Sequence, residues 1–247
     1  MNKIKAILAL ILFAAAAICV WTQENPDSFF QVTYVTLNDV NYVIITGYTG
    51  YRMPTQLYIP PRLHDLQVTA IGNEAFRDKL LLTVSIPGSV ILIGDMAFAL
   101  NRLTTVTIPD SVRTIGVAAF AGNQLTSVVI SNRAATIREG AFASNQLTSV
   151  TIPDSVTSIG QAAFTGNPLI SITIGADVEL NTKGANVTIE GAENASFDCG
   201  FDDAYNNGGR QAGTYTRDAD SNVWTRQFRN EDGSKLEYIP DQMPVPA

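Results

Sequence analysis

The stretch LTSVTIPDSVTSIGQAAFTGNP, residues 147 to 168, is one unit of a pattern that repeats through the middle of the chain. Its phenylalanine recurs every 22 residues, at Phe76, Phe98, Phe120, Phe142 and Phe164. Two isoleucine positions keep the same step, one at Ile71, Ile93, Ile115, Ile137 and Ile159, the other at Ile86, Ile108, Ile130, Ile152 and Ile174. Self-similarity at a constant period is typical of stacked repeats, so we predict a solenoid.

Each unit divides into an extended half and a turning half. Val106 and Ile108 alternate with threonines, which is the period of a strand that points apolar side chains inward and hydroxyls outward. Pro109 ends this strand, because proline has no N–H to donate to a ladder. Gly116 is predicted to begin a short helical turn that carries Phe120 into the core. A single unit cannot bury its own apolar face, so the units must stack.

Four full units run from Leu81 to Pro168, with a less regular unit before them and an incomplete unit after them. The preceding unit holds five extra residues between Ile59 and Ile71, which we predict to form a loop. An incomplete unit ends the array near Val178. The predicted solenoid spans residues 57–180.

An N-terminal β cap is predicted over residues 23–56. Apolar and polar side chains alternate from Phe29 to Tyr51. In the middle lies Asn38-Asp39, a pair of residue types that favour tight turns. The apolar members of this alternation are Val32, Tyr34, Val35, Leu37, Tyr42 and Ile44. The pattern predicts a hairpin that covers the first coil.

The unit resembles the bacterial surface leucine-rich repeat of the BspA type. The signature that carries the resemblance is Ile-Pro-x-Ser-Val-x-x-Ile-Gly-x-x-Ala-Phe, and it covers residues 57 to about 178. The resemblance implies a β-rich leucine-rich-repeat solenoid, a curved right-handed superhelix with short helical turns. It also implies a secreted or cell-surface protein, because family members act as adhesins toward host matrix proteins, host cells or other bacteria. It implies neither an active site nor a cofactor.

The outward hydroxyls of the predicted strands are the first candidate for a binding surface. They form two columns at the 22-residue step: Thr83, Thr105, Ser127, Ser149 and Ser171 in one, and Ser85, Thr107, Thr151 and Thr173 in the other, with Val129 interrupting the second. Such a polar, uncharged face suits a glycan or a protein partner. The alternative is that serine and threonine are soluble, strand-compatible fillers of a duplicated unit. No aromatic platform for sugar stacking is expected on this face.

A second candidate is the irregular unit from Leu125 to Gln146. Ser131 replaces its proline, Ala134 its valine and Arg138 its glycine. It is either a drifted repeat or a local recognition patch. Arg133 and Arg138, with Arg113 one coil earlier, are expected either to form a small basic patch or to be ordinary solvated side chains.

Charge and composition limit the classes of function. The 16 basic and 23 acidic residues give an acidic chain, which has no counterpart to a phosphate backbone, so nucleic acid is not an expected partner. His64 is the only histidine, and no nucleophile, base or metal-ligand set surrounds it in the sequence. We therefore expect no catalytic site, no metal site and no cofactor.

The N-terminal 22 residues have the organisation of an export signal. Lys3 and Lys5 precede an apolar stretch, and small residues follow it. A membrane anchor is the alternative, although the apolar run is marginal for a spanning helix of roughly 20 residues. Cys19 is a low-ranking lipidation site, since Ile18 stands where Gly, Ala or Ser is preferred. Membrane contact is expected only through such a lipid.

The 22-residue period disappears after Val178, and residues 190–242 are predicted to form a small helix and hairpin module. Phe197, Phe201 and Tyr205 lie four residues apart on one helix face. A hairpin is expected to follow and to bring Tyr215 near Trp224. Residues 243–247 are expected to be a disordered tail.

These features favour an exported binding or adhesion protein, located at the cell surface, in the periplasm or outside the cell, whose repeats meet a protein or glycan on host cells, matrix or other bacteria. The alternative is a structural envelope spacer that displays the C-terminal module. An enzyme within that module is the weakest hypothesis, because its residues do not combine into a nucleophile and base.

Overall fold

The computed structural model describes residues 27–50, 54–180, 201–221, 223–229 and 235–236. The repeats form a β-solenoid of about six turns, as the period predicts. In chain order the strands are β1 (Phe30–Leu37), β2 (Val40–Tyr48), β3 (Gln56–Tyr58), β4 (Arg62–Leu63), β5 (Leu66–Ile71), β6 (Thr83–Ser85), β7 (Leu92–Ile93), β8 (Thr105–Thr107), β9 (Thr114–Ile115), β10 (Ser127–Val129), β11 (Thr136–Ile137), β12 (Ser149–Thr151), β13 (Ser158–Ile159), β14 (Ser171–Ile174), β15 (Glu179–Leu180), β16 (Gly213–Thr216), β17 (Thr225–Arg229) and β18 (Lys235–Leu236). The one α-helix of the described residues is α1 (Phe201–Asn207).

Each regular coil contributes one strand to each of two parallel arrays. The odd-numbered strands from β5 to β15 form the long sheet, in the order β1-β2-β5-β7-β9-β11-β13-β15 with β4 beside β5. The even-numbered strands from β6 to β14, with β3, lie on the other array. Partners such as Ile115 and Ile137 differ by one repeat, so equivalent side chains of successive coils stand in register.

The core is one continuous cluster between the two arrays. The five repeat phenylalanines are buried, and neighbouring rings stack with centroids 5.3–5.5 Å apart. Phe30 of the N-terminal hairpin meets the first of them, Phe76, edge to face at 6.4 Å. Burying a ring of this size contributes about 2–3 kcal/mol. The phenylalanine column is therefore core, as predicted.

The segment around each phenylalanine is a run of tight turns that bonds both within its own coil and to the following coil. Ala118, Phe120 and Gly122 each donate their backbone N–H to a carbonyl of the following coil, at 2.8, 2.8 and 2.9 Å. Between them, Ala119 and Ala121 donate within the coil, to the Gly116 and Ala118 carbonyls at 3.2 and 3.1 Å, as successive tight turns do. Ala118 reaches this geometry with a φ of 51°.

Buried asparagines join successive coils where the chain turns toward the next strand. The Asn123 Oδ1 accepts from the Leu103 N–H at 3.1 Å, and its Nδ2 donates to the Phe98 and Phe120 carbonyls, both at 3.0 Å. The same bonds to the backbone of neighbouring coils recur at Asn101, Asn145 and Asn167.

The N-terminal end of the array carries two hairpins. The first joins β1 and β2 through Asn38 and Asp39, whose φ angles of 50° and 61° match the type I′ turn that hairpins favour. The second is the five-residue insertion, which forms β4 and β5 around His64 and Asp65 instead of a plain loop. The tip of the second hairpin reaches the middle of β1, because the Tyr34 hydroxyl lies 3.0 Å from His64 Nδ1.

The C-terminal segment is joined to the array by strand pairing. Strand β16 lies antiparallel to β14 and is followed by β17 and β18. Phe201 and Tyr205 are buried in the same core cluster as the repeats, and Tyr215 and Trp224 both pack edge to face against Phe201 at 5.4 and 5.3 Å. This segment therefore covers the last coil.

Some expectations fall outside the described residues. They are the export signal with Cys19, the helical position of Phe197 and the tail from residue 243. Among the described residues, no helix is long and apolar enough to cross a membrane.

Candidate binding surface

The predicted hydroxyl columns lie on the array of even-numbered strands, and we call this surface the hydroxyl face. On β8, Val106 is buried while Thr105 and Thr107 are exposed, which is the alternation that the sequence predicts. The other members of the face are Thr83, Ser85, Ser127, Ser149, Thr151, Ser171 and Thr173. None of them is ionisable, so the face can recognise a partner through hydrogen bonds and apolar contact but not through charge.

Val129 is the apolar interruption of this face, and 57% of it is exposed. It stands in register with Thr107 on the neighbouring strand. An isolated exposed valine is ordinary on a protein surface. Here Val129 places one exposed apolar side chain among the hydroxyl groups in the middle of the face.

The strands of the hydroxyl face do not form one uninterrupted sheet. The described residues pair β3 with β6, β8 with β10, and β12 with β14, whereas neither β6 and β8 nor β10 and β12 share a ladder. The first interruption opens a recess of about 420 Å³. Its lining residues are Thr83, Val84, Ser85, Ile86, Thr105, Val106, Thr107 and Pro109. Hydroxyls thus surround a partly apolar floor, a combination that many ligand sites share.

The face also extends beyond the residues that sequence reasoning identified. At its N-terminal end, Gln56 and Tyr58 stand in register with Thr83 and Ser85, so the expectation that no aromatic side chain lies here is wrong. Leu57 between them is buried, which directs Tyr58 outward with Gln56. The clue was the Leu57 and Ile59 spacing, which places Tyr58 at an outward strand position.

At the other end, the C-terminal hairpin continues the hydroxyl pattern. Thr173 and Thr214 are cross-strand partners, and their hydroxyl oxygens lie 2.9 Å apart. Thr216 accepts a hydrogen bond from the Gln227 side chain. Sequence reasoning missed this extension because it depends on a strand pairing between residues 41 positions apart.

The structure does not place the candidate arginines on the hydroxyl face. Arg133 and Arg138 flank β11, which belongs to the long sheet. The Arg138 Nη1 is 3.2 Å from the Asp95 Oδ1, and its Nε is 3.7 Å from the Glu139 Oε2. Arg113 donates to backbone carbonyls, including that of Asp110 at 3.0 Å. Arg138 is therefore ion-paired within the chain, and a basic patch of three free cations is not what the structure shows.

The irregular unit keeps the core of a regular one. Ile130, Ala134, Ile137 and Phe142 are all buried in their columns. Ser131, which replaces proline, is also buried, and its Oγ accepts from the Arg133 N–H at 3.0 Å. Its sequence differences are thus absorbed by local contacts, as expected for a drifted repeat.

Among the described residues, no group of three or more metal-ligating side chains comes together. Burial raises the pKa of Tyr48, Tyr205 and Tyr215, and all three lie away from the hydroxyl face strands β6 to β12. Burial disfavours the charged phenolate, so these hydroxyls stay protonated at neutral pH.

Solved structures of bacterial leucine-rich repeat proteins resemble this one. The leucine-rich repeat protein of T. pallidum is 28% identical, with 64% of this chain and 82% of that chain covered and a TM-score of 0.52. A leucine-rich repeat protein from Bacteroides capillosus is 30% identical, with 51% and 80% covered and a TM-score of 0.32. A leucine rich cell surface protein from Faecalibacterium prausnitzii is 24% identical, with 63% and 56% covered and a TM-score of 0.35.

No curated protein matches the chain. The model of the BspA type leucine rich repeat region matches in six copies over residues 69–185. This range holds the stacked phenylalanines, the asparagine bonds between coils and the hydroxyl face from β6 to β14. Over these residues, the chain is built from BspA-type leucine-rich repeats.

Proposed function

We propose that this protein is an exported binding protein of the bacterial surface or surroundings, and that its hydroxyl face meets a macromolecular partner. Leucine-rich repeat families are in general binding scaffolds, which supports the binding role. The export-signal pattern of the first 22 residues and the surface location typical of the family support a position outside the cytoplasm. The partner is a protein or glycan on host cells, matrix or other bacteria.

One observation carries this proposal: uncharged polar side chains remain exposed across successive coils. Thr105, Thr107, Ser149 and Thr151 are all exposed while the residue between each pair is buried. Repeated hydroxyls offer donors and acceptors to an extended partner, and the recess between β6 and β8 gives that partner a place to insert a group. An acidic chain with an uncharged face selects for neutral or weakly charged partner surfaces.

The spacer alternative requires the C-terminal segment to be displayed as the functional part. Its rings at Phe201, Tyr205, Tyr215 and Trp224 are instead buried with the last coil. These contacts favour a capping role for the segment. Deleting it would also expose core, so loss of binding after deletion would be ambiguous.

Charge substitutions on the hydroxyl face test the proposal without touching the core. The variant is Thr105→Glu, Thr107→Lys, Ser149→Glu and Thr151→Lys, and its matched control is Leu92→Glu with Thr114→Lys on outward positions of the long sheet. Both are compared with the parent chain on a panel of purified extracellular-matrix glycoproteins and on the same glycoproteins after enzymatic deglycosylation. Melting curves verify that each variant folds.

We expect that a panel member that binds the parent and the control binds the face variant at least about tenfold more weakly. This is a loss of roughly 1.4 kcal/mol in binding free energy. Loss of parent binding on deglycosylation identifies a glycan partner, whereas unchanged binding identifies a protein one. Equal binding by the face variant and the control would refute a role for the hydroxyl face.

A further inference from the structure

Strand β1 presents a long unpaired edge at the N-terminal end of the long sheet. It is eight residues long and pairs with β2 on one side, and among the described residues no strand lies on its other side. The strands of the regular coils are only two to four residues long. The outer N–H and C=O groups of β1 are therefore the largest unpaired ladder that the described residues offer.

The side chains of this edge are unusually apolar for a free strand. Tyr34, Val35 and Leu37 are 56%, 40% and 61% exposed, although their alternation predicted a partly inward set. A free edge is normally protected by charged residues or proline, and β1 contains neither. The bulge between Gln31 and Val32 distorts only its beginning. Such an edge favours the addition of another strand.

The opposite end of the molecule shows how this fold covers an edge. There β14, the last repeat strand of the hydroxyl face, is paired antiparallel by β16 of the same chain. No described segment does the same for β1. The occupant of the β1 edge is therefore none of the described segments.

Charge favours a second copy of this chain as that occupant. The whole chain has a formal charge of −7, so two copies repel each other over most of their surfaces. Strands β1 and β2 contain no charged residue, and Asp39 in their turn is the only one between Phe30 and Tyr48. At this edge, two copies can meet without bringing like charges together.

Symmetry then limits the registers that the contact can adopt. When two copies of one strand pair antiparallel about a twofold axis normal to the sheet, equivalent side chains of both copies lie on the same face of the sheet. Residues that stand opposite each other must therefore be an even number of sequence positions apart. A register centred on Tyr34 meets this condition and pairs seven residues of each copy. It places Tyr34 opposite Tyr34 and Thr33 opposite Val35 of the second copy. We propose that the protein forms a homodimer by antiparallel pairing of β1 with β1 in this register.

A cysteine at the twofold axis tests the register directly. In a chain carrying Cys19→Ser and Cys199→Ser, Tyr34→Cys would place two sulfur atoms on directly opposed residues, whose Cα separation of about 4.5–5.5 Å suits a disulfide. Val223→Cys is the matched control, because Val223 is 72% exposed and lies outside the N-terminal hairpin. Under mild oxidation, we expect a covalent dimer from Tyr34→Cys and only slow random cross-linking from Val223→Cys.

Two double variants add a test that local misfolding cannot imitate. Thr33→Lys with Val35→Lys would oppose like charges across the proposed interface, whereas Thr33→Lys with Val35→Glu would oppose unlike charges. Both residues are exposed, so both variants should melt like the parent. In the Tyr34→Cys background, we expect loss of the covalent dimer from the first and its retention in the second.

Equal cross-linking rates for Tyr34→Cys and Val223→Cys would overturn the proposal. Equal behaviour of the two double variants would overturn it as well, since it would show that positions 33 and 35 do not face each other. Multi-angle light scattering of the parent chain adds a third measurement, for which we expect a dimer mass.

Discussion

At the scale of the residue, the array depends on three kinds of position that recur every 22 residues. Phenylalanine fills the space between the arrays with stacked rings, so a smaller side chain in its place would leave a cavity. Asparagine satisfies buried backbone groups of two coils at once. Glycine, at Gly94, Gly116 and Gly160, allows the backbones of successive coils to approach closely. A Cβ on Gly116 would lie 2.5 Å from the Gly94 carbonyl carbon.

Gly116→Ala is therefore expected to destabilise the protein by about 1–3 kcal/mol through overpacking against the previous coil. Arg138 occupies the same column, so the coils can accommodate a Cβ by a small shift, and unfolding is not expected. The control is Gly88→Ala, because a Cβ there would meet no atom within 4 Å. That control should be neutral or stabilise by up to about 1 kcal/mol. Urea unfolding of both variants measures the difference, and equal midpoints would contradict the close approach of the backbones.

At the scale of the element, the C-terminal helix and hairpin end the array by supplying bonds that a further coil would otherwise make. The Tyr205 hydroxyl of α1 donates to the Gly175 carbonyl at 2.7 Å and accepts from the Val178 N–H at 3.0 Å. Both partners lie in the last, incomplete coil. A single buried side chain thus replaces the contacts of the missing repeat.

Tyr205→Phe should lower the free energy of unfolding by about 1–3 kcal/mol, because it leaves the buried Val178 N–H without its acceptor. Tyr42→Phe, in a half-buried tyrosine of β2, is the control and should stay within about 0.5 kcal/mol of the parent. Chemical unfolding at pH 7 measures both. A Tyr205→Phe variant as stable as its control would mean that α1 does not cap the array through this hydroxyl.

The same variant should change the response to alkaline pH. Burial raises the pKa of Tyr205 above its ordinary value of 10.0, so above that pH the unfolded chain loses a proton that the folded chain keeps. Stability is therefore fully present below pH 10 and falls as the pH rises beyond it. Tyr215 and Tyr48 have raised pKa values for the same reason and act in the same direction. We expect Tyr205→Phe to have a shallower alkaline loss than the parent.

At the scale of the whole molecule, most of the fold could be predicted because its contacts repeat a local pattern. The period alone identified the inward Ile115 and Phe120 columns and the outward Thr105 and Thr107 columns. What it could not supply were features that depend on distant parts of the chain. The pairing of β14 with β16 and the bond from Arg138 to Asp95 join residues about 40 positions apart. Neither leaves a periodic trace in the sequence.

Two other features escaped prediction for local reasons. The turn at Ala118 needs a positive φ, and alanine gives no signal of it because glycine is the residue that normally marks this geometry. The apolar residues of β1 looked like a buried face, yet Leu37 pairs with Val40, past the last pairing of β2 with β5 at Tyr42 and Gln67, where no core remains to cover it. In both cases, the local conformation or burial depends on the neighbouring part of the structure and not on the residue type.

A repeat array whose contacts lie mainly between neighbouring coils should tolerate the removal of one whole unit. Deleting residues 103–124 removes a single 22-residue period and places Leu125 directly after Arg102. The Asn145 Nδ2, which now donates to the Phe120 carbonyl at 3.0 Å, would meet the Phe98 carbonyl in the same way that Asn123 does. We therefore expect a folded protein with one cooperative melting transition at lower temperature.

The control deletion is residues 103–113, half of the same unit. It would bring β6 residues opposite those of the long sheet and break every inter-coil bond at the junction, so a folded array should not form. Far-UV circular dichroism and thermal melting of the two deletions decide the matter. If the whole-unit deletion lost its β spectrum as completely as the half-unit deletion, stability would reside in the array as a whole and not in contacts between adjacent coils.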